Sequence, residues 1–294
     1  MANHQWTVVT GASSGVGQCF AKTLAARGAN VLAVARRKDR LDQLAKTAAA
    51  GGAKIEPFVA DLSSGEGVSA VMRRIRELHD VEMLVNCAGV ATAGDFLDSS
   101  LEAELASIRV NVESVVSLTR EVLPHMVQRR RGQILNVASV VGFQPFPHFA
   151  TYAATKAFVL SFTEAIAEEV RGTGVAVLAL CPGAIRTELD VFSKNAGLLG
   201  KFPSLTAEEV VAAGLSALQH RRVVKIVGLL NLQLALVDRI LPRVVVRRVM
   251  KAMVKVPAVS RKPLGSPAAS LSGSSSPAMR GDASPSGDSA DRRS

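Results

Sequence analysis

Short apolar runs alternate with longer stretches in which apolar residues recur every three or four positions, and the alternation persists for about 225 residues. Trp6-Thr7-Val8-Val9-Thr10 reads as a buried strand, and Gly11 to Gly17 as a turn opening a helix to about Arg27. Asn30 to Ala35 is a second strand, Leu41 to Ala50 a second helix, and Ile55 to Ala60 a third strand that ends at Asp61. Gly67 to Leu78 is helical, Met83 to Val85 is a fourth strand, and Ile108 to Arg129 has the spacing of a long helix apart from Pro124. Gln133 to Ala138 is a fifth strand ending at Ser139, residues 151–170 form a helix, and Val175 to Leu180 is a sixth strand. Short apolar strands separated by helices imply a parallel sheet covered on both faces. The expected fold class is α/β, a doubly wound parallel sheet in three αβα layers. Ligands then belong at the carboxyl ends of the strands.

Beyond Gly228 the pattern changes. Leu229 to Val237 is strongly apolar, but Asn231 and Gln233 interrupt it, and it falls short of the roughly 18 residues of a spanning helix. From Pro257 the chain is rich in Ser, Pro, Gly and Ala and has little to bury. The expected division is a catalytic domain over 1–228, a basic apolar helical extension over 229–256, and a disordered tail over 257–294.

Charge sharpens this division. The net charge is +10, and Arg221 to Lys255 carries nine basic residues against Asp238 alone. That stretch lacks interleaved aromatics, so no nucleic-acid partner is expected. Arg243, Arg247, Lys251 and Lys255 recur every four residues with Val and Met between them. As a helix this is a charged stripe beside an apolar face, suited to peripheral contact with an anionic membrane. The competing reading is a helix that caps the pocket or a dimer, its basic face solvated. Cys19, Cys87 and Cys181 are far apart without metal spacing, so no metal is expected and a reducing, cytoplasmic setting fits, membrane-associated or not. The strand-like start at Trp6 leads to the expectation of no secretory signal.

The candidate chemistry centres on the one tyrosine. Tyr152 precedes Lys156 by four residues, one helical turn on the same face, and follows Ser139 by thirteen. An ammonium there is expected to stabilise the phenolate. Moving a phenol from ~10 to about 7 takes about 4 kcal/mol, which calls for a partly desolvated cation. Thr10-Gly11-Ala12-Ser13-Ser14-Gly15-Val16-Gly17 follows a strand and opens a helix. Its glycines admit a pyrophosphate close to the backbone, and the helix start favours the negative charge. The second strand ends in Ala35-Arg36-Arg37, where a carboxylate would repel a 2′-phosphate. Arg36 instead supplies a planar cation, so NADP(H) is the preferred cofactor with NAD(H) as the alternative. A merely solvated helix start is the competing reading for these arginines, Arg37 above all. Asp61, with Leu62 beside it, either accepts from an adenine amine or caps the Ser63–Gly67 turn.

With the glycine turn, Asn86-Cys87-Ala88-Gly89, Ser139, Tyr152 and Lys156 in order, residues 5–228 resemble a short-chain dehydrogenase/reductase. Cys87 departs from the asparagine common there. The resemblance implies a Rossmann-type fold and an NADP(H)-dependent enzyme interconverting carbonyl and alcohol. It makes Tyr152 the proton donor or acceptor, Ser139 the group that polarises the carbonyl, and Lys156 the holder of the nicotinamide ribose. It gives Asn111 a water linking Lys156 to solvent, and places Asn86, Ala88, Gly89, Pro182, Gly183, Ile185 and Thr187 against the cofactor. It also implies a homodimer or tetramer through the two long helices. The stretch Ala184 to Pro203, with Phe143, Phe146 and Phe149, offers apolar walls for a small hydrophobic, lipid-like substrate. Two other classes stand beside this reading: a non-catalytic cofactor-sensing protein on the same fold, and a membrane-surface binding protein working through 229–256.

Overall fold

The computed structural model describes residues 5–48, 53–78, 80–185, 204–228, 231–233, 235 and 241–254. Seven parallel strands form one sheet: β1 (Trp6–Thr10), β2 (Asn30–Ala35), β3 (Ile55–Val59), β4 (Val81–Asn86), β5 (Gly132–Val137), β6 (Val175–Cys181) and β7 (Val224–Ile226). Their order is β3-β2-β1-β4-β5-β6-β7. The connecting helices are α1 (Gly15–Ala26), α2 (Lys38–Ala48), α3 (Gly65–Glu77), α4 (Leu101–Ile108), α5 (Ser114–Gln128), α6 (Ala150–Glu169) and α7 (Ala207–Gln219), with α8 (Arg243–Met253) after the sheet.

Period-two alternation decides which helices cover which face. Val9, Val31 and Ala33 point to one side, into a core with Phe20 and Leu24 of α1, Leu41 and Leu44 of α2, and Leu215 and Leu218 of α7. Their neighbours Val8, Leu32 and Val34 point to the other, against Val71 and Ile75 of α3 and Leu118, Val122 and Met126 of α5. Both faces are dry, which is why the strands read as unbroken apolar runs. The doubly wound α/β fold is as expected.

Three elements differ from the expectation. The helix expected from Ile108 begins at Leu101, and a π-helical turn over Arg109–Glu113 separates α4 from α5. β4 is longer than Met83–Val85. α7 and β7 extend the alternation one unit past the sixth strand. The disordered tail expected over 257–294 lies outside the described residues.

Candidate active site

Sheet growth reverses between β1 and β4, and the carboxyl ends of these neighbours flank a crevice. Gly11 ends β1 with φ +69°, and a Cβ there would stand 2.9 Å from the Ala88 backbone. A Cβ on Gly17 would lie 2.4 Å from the Gly11 carbonyl oxygen. Only glycine fits at either position. Thr10 Oγ1 locks the two strand ends together, accepting from the backbone amides of Cys87 and Ala88, each at 3.0 Å.

α1 starts at this turn without a side-chain cap. Its cap residue, Ser14, instead accepts from Arg37 Nη2 at 2.7 Å, and Arg37 reaches Ser13 Oγ through Nε and Nη2 at 3.2 and 3.1 Å. By contrast α3 and α7 are capped by Ser64 and Thr206. The first turn of α1, with Gly15, Val16 and Gly17, thus keeps partial positive charge that no side-chain oxygen offsets, which suits a diphosphate. The guanidinium beside the turn belongs to Arg37, where Arg36 was the expected cation. Arg36 lies near Asp61 and helps to lower its pKa, behind the hydrogen bonds from Ser63. Asp61 Oδ1 accepts from Ser63 N at 2.9 Å and Ser63 Oγ at 2.8 Å, a local turn that precedes the Ser64 cap of α3. The Leu62 side chain is buried in the core.

On the other side of the crevice, β5 delivers Ser139, and α6 carries Tyr152 and Lys156 one turn apart. The Ser139 side chain stands close enough to the Tyr152 phenol to lower its pKa. Lys156 Nζ lies 5.7 Å from the centre of the Tyr152 ring and donates to the Val137 carbonyl at 2.7 Å. Ser139 makes only long bonds elsewhere, donating to Pro182 O and accepting from Val141 N at 3.4 Å each. A Cβ on Gly89 would lie 3.4 Å from Asn111 Oδ1 and 3.6 Å from Lys156 Nζ, so four of the expected groups converge above β4 and β5.

Burial governs the charges here. It pushes the Tyr152 phenol up to about 12, against the lowering effect of the Ser139 hydrogen bond, and pulls the Lys156 ammonium down to about 8. Burial therefore acts against the acidification of the phenol expected from sequence. The ammonium is turned to a backbone carbonyl, and desolvation outweighs its attraction for a phenolate. Burial also pushes the Cys87 and Cys181 thiols up to about 12, so neither supplies a thiolate.

Asn111 sits in the π-helical turn. Its amide clamps Val90, accepting from N and donating to O at 2.9 Å each, and donates to Thr155 Oγ1 at 3.0 Å. Asn86 turns away from the crevice: its Nδ2 donates to Asn136 Oδ1 at 2.9 Å inside the protein. Gly183 packs against Asn231, where a Cβ would meet Nδ2 at 2.3 Å, and Ile185 pairs with Leu205 in an isolated parallel bridge. Thr187 and most of the expected flap lie outside the described residues. Among the described residues no His, Cys, Asp or Glu cluster could hold a metal. A cavity of about 290 Å³ beside α6, lined by Gly142, Leu160, Ser161 and Glu164 among others, touches none of these groups.

α8 forms a wall near the tyrosine. Val246, Met250 and Val254 pack with Val141, Phe146, Phe149 and Ala153, and Tyr152 borders the same cluster. Gln144, unremarked in the sequence, is buried beside it, its Nε2 weakly donating to Met250 Sδ at 3.8 Å. Thr155 was equally unremarked, Arg37 was read only as a solvated helix start, and Thr10 was named without a role of its own. Of these only Thr10 carries a sequence signal, a hydroxyl at a strand end before glycine.

The short chain dehydrogenase family model matches residues 5–198. A short chain dehydrogenase of Pseudocercospora fijiensis is 38% identical over 185 residues, 62% of this chain and 60% of that protein's length. Rat 17-beta-hydroxysteroid dehydrogenase type 3 is 32% identical over 218 residues, covering 72% of this chain and 68% of the relative. A solved short-chain dehydrogenase from Sphingobium yanoikuyae in complex with NADPH superposes with a TM-score of 0.71 at 35% identity, over 76% of this chain and 88% of that one. The chain belongs to the short-chain dehydrogenase/reductase family of oxidoreductases.

Proposed function

We infer that the chain is an NADP(H)-dependent oxidoreductase interconverting a carbonyl and an alcohol on a hydrophobic substrate. The observation that carries this reading is the approach of the Ser139 side chain to the Tyr152 phenol, with Lys156 Nζ 5.7 Å from the same ring, at the mouth of a glycine-lined crevice. When bound, the nicotinamide supplies or accepts the hydride. Tyr152, protonated at neutral pH, gives its proton to the substrate oxygen in the reductive direction and removes it in the oxidative one. Ser139 donates to the same oxygen and stabilises its developing charge. Lys156, with its Val137 bond as resting partner, holds the ribose and offsets the phenolate as it forms. Asn111 fixes the Val90 segment and Thr155 around this group.

The crevice fits the cofactor. The Gly11 and Gly17 approaches leave room for a diphosphate at the uncapped start of α1. Arg37, with Arg36 beside it, gives a 2′-phosphate a planar partner. The apolar wall of Phe146, Phe149, Val246 and Met250 favours a bulky, lipid-like substrate, in keeping with the steroid named for the rat relative.

Two surfaces bear on partners. Leu101, Leu105 and Ile108 lie on one face of α4 and are exposed, Leu101 by 72%, and Phe158 of α6 is exposed too. This apolar face suits a homodimer through α4, α5 and α6. On α8, Val245, Val249 and Ala252 form an exposed apolar strip, beside the basic stripe of Arg243, Arg247 and Lys251. That pairing suits peripheral contact with an anionic membrane surface. No helix among the described residues is long and apolar enough to cross a membrane.

The test is NADPH oxidation by the purified full chain against a panel of bulky ketones and aldehydes. Turnover is expected, and Tyr152→Phe should lower it about 10²- to 10⁴-fold. Undiminished turnover in Tyr152→Phe, with the fold intact by circular dichroism, would revive the non-catalytic reading of the site.

A further inference from the structure

Gln144 lies five residues after Ser139 and eight before Tyr152, on the segment that links the two. It is 7% exposed. Its Nε2 is spent on a weak bond to Met250 Sδ, and its buried Oε1 has no hydrogen-bond partner among the described groups. Met250 in turn packs in the cluster of Phe146, Phe149 and Val246 that the Tyr152 ring borders. A buried amide oxygen within an otherwise apolar wall is an acceptor awaiting a donor.

We propose that Gln144 is the polar anchor of the substrate pocket, accepting a hydrogen bond through Oε1 from a hydroxyl or N–H group on an otherwise hydrophobic carbonyl substrate. This rests on the redox reading of Ser139, Tyr152 and Lys156 and narrows its substrate class. α8 takes part because Met250 holds the amide nitrogen, which leaves the oxygen as the free end. A substrate lacking the donor leaves that oxygen unpaired, and such sites discriminate more sharply than apolar contact does. The preferred substrates are therefore bulky ketones bearing a remote hydroxyl or amide N–H, rather than plain hydrocarbons with one carbonyl.

The test uses the full chain with NADPH and two matched pairs: androstan-17-one against its 3-hydroxy derivative, and 2-tetralone against 6-hydroxy-2-tetralone. Wild type should favour the hydroxylated member of at least one pair by about 10- to 100-fold in kcat/KM. Gln144→Met, matched in length, should erase that preference by slowing the hydroxylated ketone alone, leaving its partner within about threefold. Gln144→Leu should do the same, and thermal unfolding should show both variants folded. No preference in the wild type, no reduction of either pair, or an equal loss on both members would overturn the proposal. Tyr152→Phe on the same ketones separates the two levels. If turnover needs Tyr152 while the Gln144 ratio fails, only the anchor is lost; if turnover survives Tyr152→Phe, the redox reading itself falls.

Discussion

Replacing Lys156 by methionine should abolish turnover and yet stabilise the cofactor-free protein. Burial lowers the lysine pKa from 10.5 to about 8, so keeping it charged at pH 7 costs about 3 kcal/mol at ~1.36 kcal/mol per pH unit. Methionine is unbranched and fits the same channel, but it forfeits the bond to Val137 O, a charge-assisted contact worth about 1.5 kcal/mol. The net gain is on the order of 1 kcal/mol, or a Tm increase of a few degrees for a chain of this size. The sign follows from proton uptake. Between pH 8 and 10.5 the unfolded lysine binds a proton that the folded one releases, so wild-type stability rises through that window. The advantage of Lys156→Met is therefore full below pH 8 and shrinks as pH climbs to 10.5. Chemical denaturation at pH 7 and pH 10 measures both values. A variant less stable than wild type at pH 7, or a difference that does not shrink by pH 10, would refute burial as the dominant force on this lysine.

Three further outcomes are expected. Arg37→Leu should cut the preference for NADPH over NADH about tenfold or more in kcat/KM, since one charge-assisted phosphate contact is worth ~1.5–3 kcal/mol; an unchanged ratio would exclude Arg37 from the phosphate site. Leu101→Glu with Leu105→Glu should convert the proposed dimer to a monomer in analytical ultracentrifugation, and an unaltered sedimentation coefficient would count against an interface through α4. Vesicles of phosphatidylcholine and phosphatidylglycerol at 3:1 should co-sediment the wild type at low salt. Replacing Arg243, Arg247 and Lys251 by Gln should release it, at about 1 kcal/mol per cation; equal binding to pure phosphatidylcholine would count against a charge-led surface contact.

The sheet and its strand-end groups were legible because their signals are local. A strand buried on both faces is an apolar run, and the crevice-forming Gly11 and Gly17 are glycine for steric reasons. Tyr152 and Lys156 could be paired from spacing, since one helical turn fixes their relative places, whereas Ser139 joined them through its strand end and the family resemblance. The start of α4 was hidden because the π-helical turn at Arg109–Glu113 inserts a residue and breaks the 3.6 period. α7 was readable: Thr206 stands three residues before Glu209, and the two form a capping box. Arg37 and Gln144 were not. Which of two adjacent arginines reaches Ser13 depends on the angle at which the chain leaves β2, and an unpaired amide oxygen shows only once its surroundings are known. The opposing pull of burial on the tyrosine was not legible for a related reason. Spacing shows that an ammonium is near, but not that it faces Val137, nor how completely both groups are desolvated.

The alignment of the reacting groups is set beneath the crevice rather than within it. Asn86 and Asn136 are partners across β4 and β5, joined side chain to side chain at 2.9 Å. Asn86 Nδ2 also reaches Thr119 Oγ1 of α5 at 3.3 Å, and Asn136 Nδ2 donates to Thr163 Oγ1 of α6 at 3.0 Å. This buried chain of amides and hydroxyls ties the ends of two central strands to the two long helices in front of them. Gly89 follows three residues after Asn86, Ser139 three after Asn136, and Thr163 lies on α6 seven residues past Lys156. Sliding α6 along the sheet would break the Asn136–Thr163 bond in a site without water to replace it, at about 1–3 kcal/mol for each group left unpaired. The Ser139-to-Tyr152 contact is thus held by packing and by this strut, and the intervening segment adds to it where Gly142 lies so close to α6 that a Cβ would stand 2.7 Å from the Lys156 backbone.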